Sequence, residues 1–172
     1  MDTKVFDQFG SRIEPRTDPS DLGFGIYVSG EIEKKTGFEP GMPNAFVEID
    51  GELVHDKIPD DQSIFIELEG KGIVVLTGCC HAGVVNTLAY AQKMFPEQPV
   101  YALIGGLHLN NAEDEQMKKT IEYLSQLQIR YISALHCTGY YAQRLLMEKF
   151  RDRWLPNTVG TKITFTSNRG ST

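Results

Sequence analysis

Three apolar runs, each followed by a histidine and then by a helical pattern, constrain the fold of this chain more than any other feature. They lie at residues 73–83, 100–109 and 131–139. The first run, Ile-Val-Val-Leu-Thr-Gly-Cys-Cys-His-Ala-Gly, begins as a buried strand and places two thiols and an imidazole directly after it. Because the carboxyl ends of parallel strands open onto one edge of a sheet, His81, His108 and His136 are predicted to converge there.

The remaining patterns predict a mixed sheet with helices packed against it. After a polar corner at residues 58–63, Ile64, Ile66 and Leu68 alternate with their neighbours and predict a strand at 64–68 that pairs antiparallel with the strand at 73–77 through a short Lys-Gly turn. Residues 45–54 predict a β-hairpin. Helical periodicity follows each histidine, with Asn110 or Asn111 expected to cap the second helix. A short last strand is expected at 162–165.

By composition the chain divides into two parts. Residues 1–45 are rich in glycine and proline and predict an irregular connecting segment with short strands at 25–29 and 5–9. The alternative for this part is that residues 29–32 and the charged residues after them form a substrate rim. Residues 46–172 carry the strand and helix patterns and are predicted to form one folded unit, as the length of 172 residues suits a single domain.

Composition also narrows the class of partner and the compartment. The formal net charge is −6 and lysine and arginine form no stripe, so nucleic acid is not expected as a partner. No apolar run approaches the roughly 20 residues that span a bilayer, and the polar start does not resemble a signal peptide, so a cytoplasmic location and no membrane partner are expected. All three cysteines adjoin histidines, which favours free thiols and metal ligation over disulfides.

Cysteine and histidine are the usual zinc ligands, which makes the strand ends candidates for a metal site. A single histidine at a strand end is often only a hydrogen-bonding residue, but three of the four histidines stand at such positions. Successive strand residues face opposite ways, so Cys79 is expected to face the site and Cys80 to be buried as a small hydrophobe. Cys137 is expected to be structural, and His55 to be solvated.

Two further features bear on the chemistry. Asp61 precedes the strand that pairs with 73–77, and an antiparallel partner places its start beside its neighbour's carboxyl end. A carboxylate ligand or general base is therefore one interpretation of Asp61, and a turn-capping role shared with Asp60 is the other. Helices that begin after the three histidines would aim their amino termini at the site, which suits an anionic group such as a phosphate.

The motifs Leu-Thr-Gly-Cys-Cys-His-Ala-Gly, Ile-Gly-Gly-Leu-His-Leu and Ala-Leu-His-Cys-Thr-Gly resemble the metallo-β-lactamase superfamily. More narrowly they are similar to the branch of 7,8-dihydropterin-6-methyl-4-(β-D-ribofuranosyl)aminobenzene 5′-phosphate synthase-like proteins, over residues from about 29 to 165. The resemblance implies an α/β fold, the αββα sandwich of two ββα halves with one or two metals at one edge. Residues 46–172 would then be mainly the second ββα half, a mixed sheet with helices on one face.

The resemblance also implies roles for individual residues. Cys79 stands where most of the superfamily carries a bridging aspartate, and His136 stands at the last metal histidine. Residues 58–64 lack the metal histidine that usually lies there, and His81 is expected to compensate. His108 is similar to a residue that lines the pocket. The implied metal ligands are thus Cys79, His81 and His136, the candidate catalytic residues are His108 and Asp61, and the cofactor is a divalent metal, zinc first, with iron or manganese as alternatives.

The superfamily signature His-x-His-x-Asp-His does not occur in the sequence. In the family it lies in the amino-terminal half, so the chain is expected to be a fragment, one part of a two-chain protein or a self-associating half-fold. Two functions follow as alternatives. One is the carboxyl-terminal half of a metal-dependent hydrolase or synthase that acts on a phosphorylated or pterin-like small molecule. The other is a non-catalytic half-domain that associates with a partner chain or with itself as a homo-oligomer.

Overall fold

The strands and helices of the second part form close to where the sequence predicts them. The computed structural model describes residues 9–10 and 13–166. The strands are β1 (Ser20–Asp21), β2 (Ile26–Val28), β3 (Phe46–Ile49), β4 (Glu52–His55), β5 (Ser63–Leu68), β6 (Gly72–Thr77), β7 (Val100–Gly106) and β8 (Tyr131–Leu135). The helices are α1 (Val84–Met94), α2 (Asp114–Gln126) and α3 (Tyr140–Lys149). Among the described residues, no helix is long and apolar enough to cross a membrane.

One mixed sheet holds the strands in the order β1-β2-β5-β6-β7-β8. Strands β6, β7 and β8 run parallel. Strand β5 is antiparallel to β6, with Ser63 opposite Thr77 and Leu68 opposite Gly72, which confirms the predicted pairing. This register places the loop before β5 beside the carboxyl end of β6, at the edge where the parallel strands also end. Strands β1 and β2, from the predicted connecting segment, extend the same sheet beyond β5.

The hydrophobic core lies between one face of this sheet and the helices. Phe65, Val75 and Leu103 are fully buried on the sheet side, and Leu88 and Leu124 are fully buried on the helices that cover them. Burying a side chain of this size contributes about 1.5–3 kcal/mol, so this layer is rigid enough to position the loops at the sheet edge. The predicted fold class, a mixed sheet with helices on one face, is confirmed.

Two apolar surfaces are less well covered. On the face of β5 opposite the core, Ile64 is 39% exposed, while Ile66 and Leu68 are half-buried. The predicted hairpin at 45–54 is confirmed as β3 and β4, but it forms a separate two-stranded sheet. Leu53 in this hairpin is 75% exposed. Apolar side chains on such surfaces are the ones that a partner surface would cover.

Some local predictions differ from the structure or lie outside it. The second helix begins at Asp114 with Glu113 as its N-cap, not after Asn110 or Asn111, because these two residues lie in a turn closed by a hydrogen bond from the Ala112 amide to the Leu109 carbonyl at 3.1 Å. Residues 161–166 are irregular, so the predicted last strand is wrong; Phe165 stacks on Tyr131 with ring centroids 5.6 Å apart. The predicted strand at 5–9 falls outside the described residues except for its last position.

Candidate functional site

Hydrogen bonds tie the three loops after β6, β7 and β8 to one another. The Thr77 hydroxyl donates to the Gly106 carbonyl at 2.8 Å, and the Gly106 amide donates to the Gly78 carbonyl at 3.0 Å. The buried Thr138 hydroxyl accepts from the Leu107 amide at 3.0 Å. These bonds hold the strand ends in a fixed relation, so the side chains that follow each strand meet at one edge.

The first group at this edge, the thiol cluster, consists of Cys79, His136 and Cys137. The Cys79 sulfur lies 3.2 Å from Nε2 of His136, and the Cys137 thiol donates to the Cys79 carbonyl at 3.2 Å. The ligand atoms of the three residues all lie within 4.8 Å of one another. Burial raises the pKa of the Cys137 thiol to about 11. Two thiols and an imidazole so close together are a donor set that suits a borderline-soft divalent metal.

Gly106 makes this close approach possible. A Cβ at position 106 would collide with the Gly78 carbonyl oxygen, and it would lie 2.8 Å from the Cys137 sulfur and 3.2 Å from the ring of His136. No side chain larger than a hydrogen atom fits there without moving these groups. The glycine therefore serves the geometry of the thiol cluster directly.

The second group, the histidine cluster, consists of Asp61, His81 and His108. Asp61 accepts a hydrogen bond from the His81 amide at 2.6 Å, and its other oxygen lies 3.3 Å from Nδ1 of His81. The rings of His81 and His108 meet edge to face with centroids 4.6 Å apart. Burial, reinforced by the neighbouring His81, lowers the pKa of His108, so its imidazole is neutral at neutral pH.

Nδ1 of both histidines in this cluster is buried and has no hydrogen-bond partner of good geometry among the described residues. The 3.3 Å approach of Asp61 to His81 is an ion-pair distance without hydrogen-bond alignment. Buried polar atoms without a partner cost free energy, of the order of 1–3 kcal/mol each. Such atoms commonly mark a position at which a ligand, an ion or water completes the contacts.

The backbone at both clusters is strained. Cys80, His108 and His136 have φ values of 67°, 49° and 54°, in the left-handed region that residues with a Cβ rarely adopt. Each such residue costs roughly 1–3 kcal/mol and persists where the surrounding structure holds it. Strain at three loop residues of one sheet edge supports a functional role for that edge.

A cleft of about 370 Å³ opens beside the histidine cluster. Its polar lining includes His81, His108 and several carboxamides, and it contains no lysine or arginine; the carboxamides are Asn44, Asn110, Asn111 and Gln116. A second groove is lined by Lys34 and Lys57 together with the acidic residues Glu31, Glu33 and Asp61. Apart from Glu39, the cleft therefore offers neutral hydrogen-bonding groups, whereas the groove carries charges of both signs.

Sequence reasoning missed Glu39, which lies at the amino terminus of α1. Its carboxylate accepts from the amides of Val85 and Asn86 at 2.9 and 3.0 Å and from the Thr36 hydroxyl at 2.8 Å. Burial raises the pKa of this carboxyl, although the amide bonds oppose the shift. The helix terminus that was expected to face an anionic ligand is thus filled by the chain's own carboxylate. No local pattern marks Glu39, because its partners lie 46 and 47 positions away.

The other sequence-predicted residues are distributed between the two clusters. Cys79 and His136 come together, whereas His81 lies with Asp61 and His108. Cys80 is buried in the core beside Thr87, as predicted, and burial raises the pKa of its thiol. His55 is exposed at the end of β4 and contacts the Met42 carbonyl. Cys137, expected to be structural, is the third member of the thiol cluster.

Comparison with known proteins defines the class to which this fold belongs. A crystal structure of Tm1679, a metal-dependent hydrolase of the β-lactamase superfamily, superimposes with a TM-score of 0.76 at 25% identity and covers 90% of this chain and 58% of that one. The chain therefore has a metallo-β-lactamase-like fold, and the resemblance indicated by the three motifs is confirmed. No family model matches the sequence.

Two curated relatives narrow the resemblance, and both come from Methanocaldococcus jannaschii. The 7,8-dihydropterin-6-methyl-4-(β-D-ribofuranosyl)-aminobenzene-5′-phosphate synthase is 34% identical over 162 residues, which are 92% of this chain and 55% of that protein. The uncharacterized protein MJ0448 is 30% identical over 125 residues, 73% of this chain and 44% of that protein. The chain thus spans about half the length of the curated relatives that it matches.

Proposed function

We propose that this chain is part of a metal-dependent hydrolase or synthase of the metallo-β-lactamase superfamily that acts on a phosphorylated or pterin-like small molecule. The observation that carries the proposal is the convergence of the thiol cluster and the histidine cluster at one sheet edge. The metal-dependent hydrolase with the similar structure and the synthase with the similar sequence support it.

The residues at this edge fit a divalent metal. Cys79 and His136 offer sulfur and nitrogen donors at 3.2 Å from each other, and His81 presents an imidazole in the adjoining cluster. Zinc suits thiolate and imidazole donors best, with iron or manganese as alternatives. A metal bound here would supply Lewis-acid polarisation of a substrate oxygen.

The three free cysteines suit a reducing compartment, so we place the protein in the cytoplasm.

Asp61 and His108 are the proposed acid–base residues. Asp61 fixes the loop of His81 through the backbone amide and faces its ring. His108 is neutral at neutral pH and keeps one buried nitrogen without a partner, so it can accept a proton or a hydrogen bond from a substrate in the cleft. Both residues adjoin the cleft or the groove in which a substrate would bind.

The cleft favours a substrate with a neutral heterocycle. Its carboxamides can pair with the donors and acceptors of a ring such as a pterin. The neighbouring groove holds Lys34 and Lys57 but also Glu31, Glu33 and Asp61, so its charge does not by itself favour a phosphate. The support for a phosphate group is the synthase relative, whose name includes a 5′-phosphate beside the dihydropterin.

Turnover assays with defined metals test the proposal. The purified chain is given zinc, iron or manganese and assayed for phosphate release from phosphoesters and for consumption of a dihydropterin. We expect turnover in the parent protein and a loss of at least tenfold in His108→Ala, with Glu122→Ala as the control because Glu122 is exposed on α2 and lines neither recess. Stoichiometric metal without turnover of either substrate class would contradict the catalytic proposal.

The second candidate function is a non-catalytic half-domain that associates with a partner chain or with itself. The exposed Leu53 of the hairpin and the 39% exposure of Ile64 favour it. The molecular mass in solution tests this candidate. A dimer that dissociates in Leu53→Lys would support self-association, whereas a monomer at all concentrations would contradict it.

A further inference from the structure

The geometry of the thiol cluster indicates a different set of metal ligands from the Cys79, His81 and His136 that the superfamily resemblance implies. Within the described residues, the group whose donor atoms all lie within 4.8 Å contains Cys79, His136 and Cys137 and does not contain His81. In a tetrahedral zinc site with Zn–S of about 2.3 Å and Zn–N of about 2.0–2.1 Å, sulfur and nitrogen lie roughly 3.6 Å apart. The observed 3.2 Å between the Cys79 sulfur and His136 Nε2 needs only a small outward rotation to match.

His81 is engaged elsewhere. Its amide and its Nδ1 face the two oxygens of Asp61 at 2.6 and 3.3 Å, and its ring packs on His108. Turning this imidazole toward the Cys79 sulfur would leave the Asp61 carboxylate, itself half-buried, without that contact. Cys137, by contrast, would give up thiol contacts with the Cys79 carbonyl and the His108 backbone, and it already faces the Cys79 side chain with which it would share the metal.

The local backbone also directs Cys137 toward the cluster. A single 3-10 turn, His136–Thr138, follows β8 directly and begins with the left-handed φ of 54° at His136. The alternation of an extended strand ends at this turn, so His136 and its neighbour Cys137 can both contribute a donor atom on the same side. The bare Cα of Gly106 leaves the room that the Cys137 sulfur needs.

We propose that Cys137 is the third protein ligand of the metal, in a site of two thiolates and one imidazole with Cys79 and His136. This inference rests on the metal site of the proposed function and specifies its donor set. Three protein ligands with one open position are the arrangement of catalytic zinc sites. Two sulfur donors select a thiophilic divalent ion and disfavour magnesium and manganese, which prefer oxygen.

Cobalt(II) substitution tests the donor set without any assay of activity. Thiolate-to-cobalt charge transfer absorbs in the near ultraviolet with an intensity that follows the number of thiolates bound. Cobalt is titrated into the metal-free parent chain and into Cys79→Ala, Cys137→Ala, Cys137→Ser and His81→Ala. His55→Ala is the matched control, and far-ultraviolet circular dichroism of each metal-free variant shows whether it is folded.

We expect Cys79→Ala and Cys137→Ala each to keep about half of the parent's charge-transfer intensity and to bind cobalt at least tenfold more weakly. His81→Ala and His55→Ala are expected to keep the full intensity. Full intensity in both folded Cys137 variants would overturn the inference, as would a loss in His81→Ala equal to that in Cys79→Ala. A parent chain that binds cobalt without charge-transfer absorption would also overturn it. Turnover is measured separately, so each of these outcomes leaves the proposed function to be decided by its own assay.

Discussion

The sulfur of Cys79 and Nε2 of His136 lie 3.2 Å apart although the two residues are 57 positions apart in the chain. Strand β7 lies between the strands that carry them, so the contact forms only beyond the strand ends, where the loops converge over Gly106. A contact of this kind depends on the whole parallel part of the sheet. It is therefore a sensitive indicator of whether the candidate site is assembled.

Replacing Gly106 by alanine should damage both the site and the backbone contacts that hold the strand ends together. The added methyl group would collide with the Gly78 carbonyl oxygen, and it would meet the Cys137 sulfur at 2.8 Å and the His136 ring at 3.2 Å, so the loop backbone and these side chains must move apart. We expect metal affinity to fall at least tenfold and the free energy of unfolding to fall by about 1–3 kcal/mol. Isothermal titration with zinc and thermal denaturation measure the two effects.

Gly78→Ala is the matched control for this substitution. A Cβ at position 78 would have no heavy atom within 4 Å, and the residue is exposed in the same group of loops. Metal affinity equal to that of the parent is expected in the control. Equal losses in the two variants would show that the loops tolerate no added side chain and that Gly106 has no special role.

Asp61→Asn should lower turnover with little change in stability. Asparagine can still accept the hydrogen bond from the His81 amide, but it removes the negative charge that faces Nδ1 of His81. Loss of a carboxylate that orients a site histidine typically costs 10–100-fold, so we expect kcat to fall by about that factor. Steady-state kinetics measure it, with Asp60→Asn as the control because Asp60 is exposed. Unchanged kcat in Asp61→Asn would leave Asp61 with the turn-capping role alone.

Glu39 should make stability depend on pH in a defined direction. Burial raises the pKa of its carboxyl in the folded chain, so between the unfolded and folded pKa values the folded state binds more protons than the unfolded state. The contribution of Glu39 to stability is then fully present below the ordinary glutamate pKa of about 4.3 and decreases as the pH rises through the folded value. Glu39→Gln lacks this titration.

The unfolding free energy of the parent minus that of Glu39→Gln is therefore expected to become lower as the pH rises from about 4 toward neutral, because only the parent loses stability by titrating Glu39. Urea denaturation at a series of pH values measures it. Glu31→Gln, at an exposed position, is the control and should show no such trend. A parent that gains stability relative to Glu39→Gln as the pH rises would mean that the amide hydrogen bonds from Val85 and Asn86 outweigh burial and that the pKa of Glu39 is lowered.

The fold was predictable where local patterns determine it. The apolar runs that became β6, β7 and β8 each end in a histidine loop followed by a helix, and the Lys-Gly turn required β5 to pair antiparallel with β6. The strand predicted at 162–165 does not form, because an alternating pattern alone does not provide a neighbouring strand to pair with. Phe165 instead stacks on the ring of Tyr131.

The candidate site was predictable only in part, for two physical reasons. The alternation rule correctly separated Cys79 from the buried Cys80, but it does not apply to Cys137, because a 3-10 turn follows the strand at His136. Glu39 was missed because a carboxylate that caps a helix from a distant loop leaves no periodic signal. Both residues are identified only once the loops are placed in three dimensions.

The metal content of the purified chain shows whether this sheet edge holds a metal. Elemental analysis of the parent, His136→Ala and the His55→Ala control gives the number of zinc, iron and manganese ions per chain. We expect near-stoichiometric metal in the parent and in the control, and its loss in His136→Ala. A parent chain without metal after reconstitution, or metal that persists unchanged in His136→Ala, would contradict the claim that this sheet edge holds a metal.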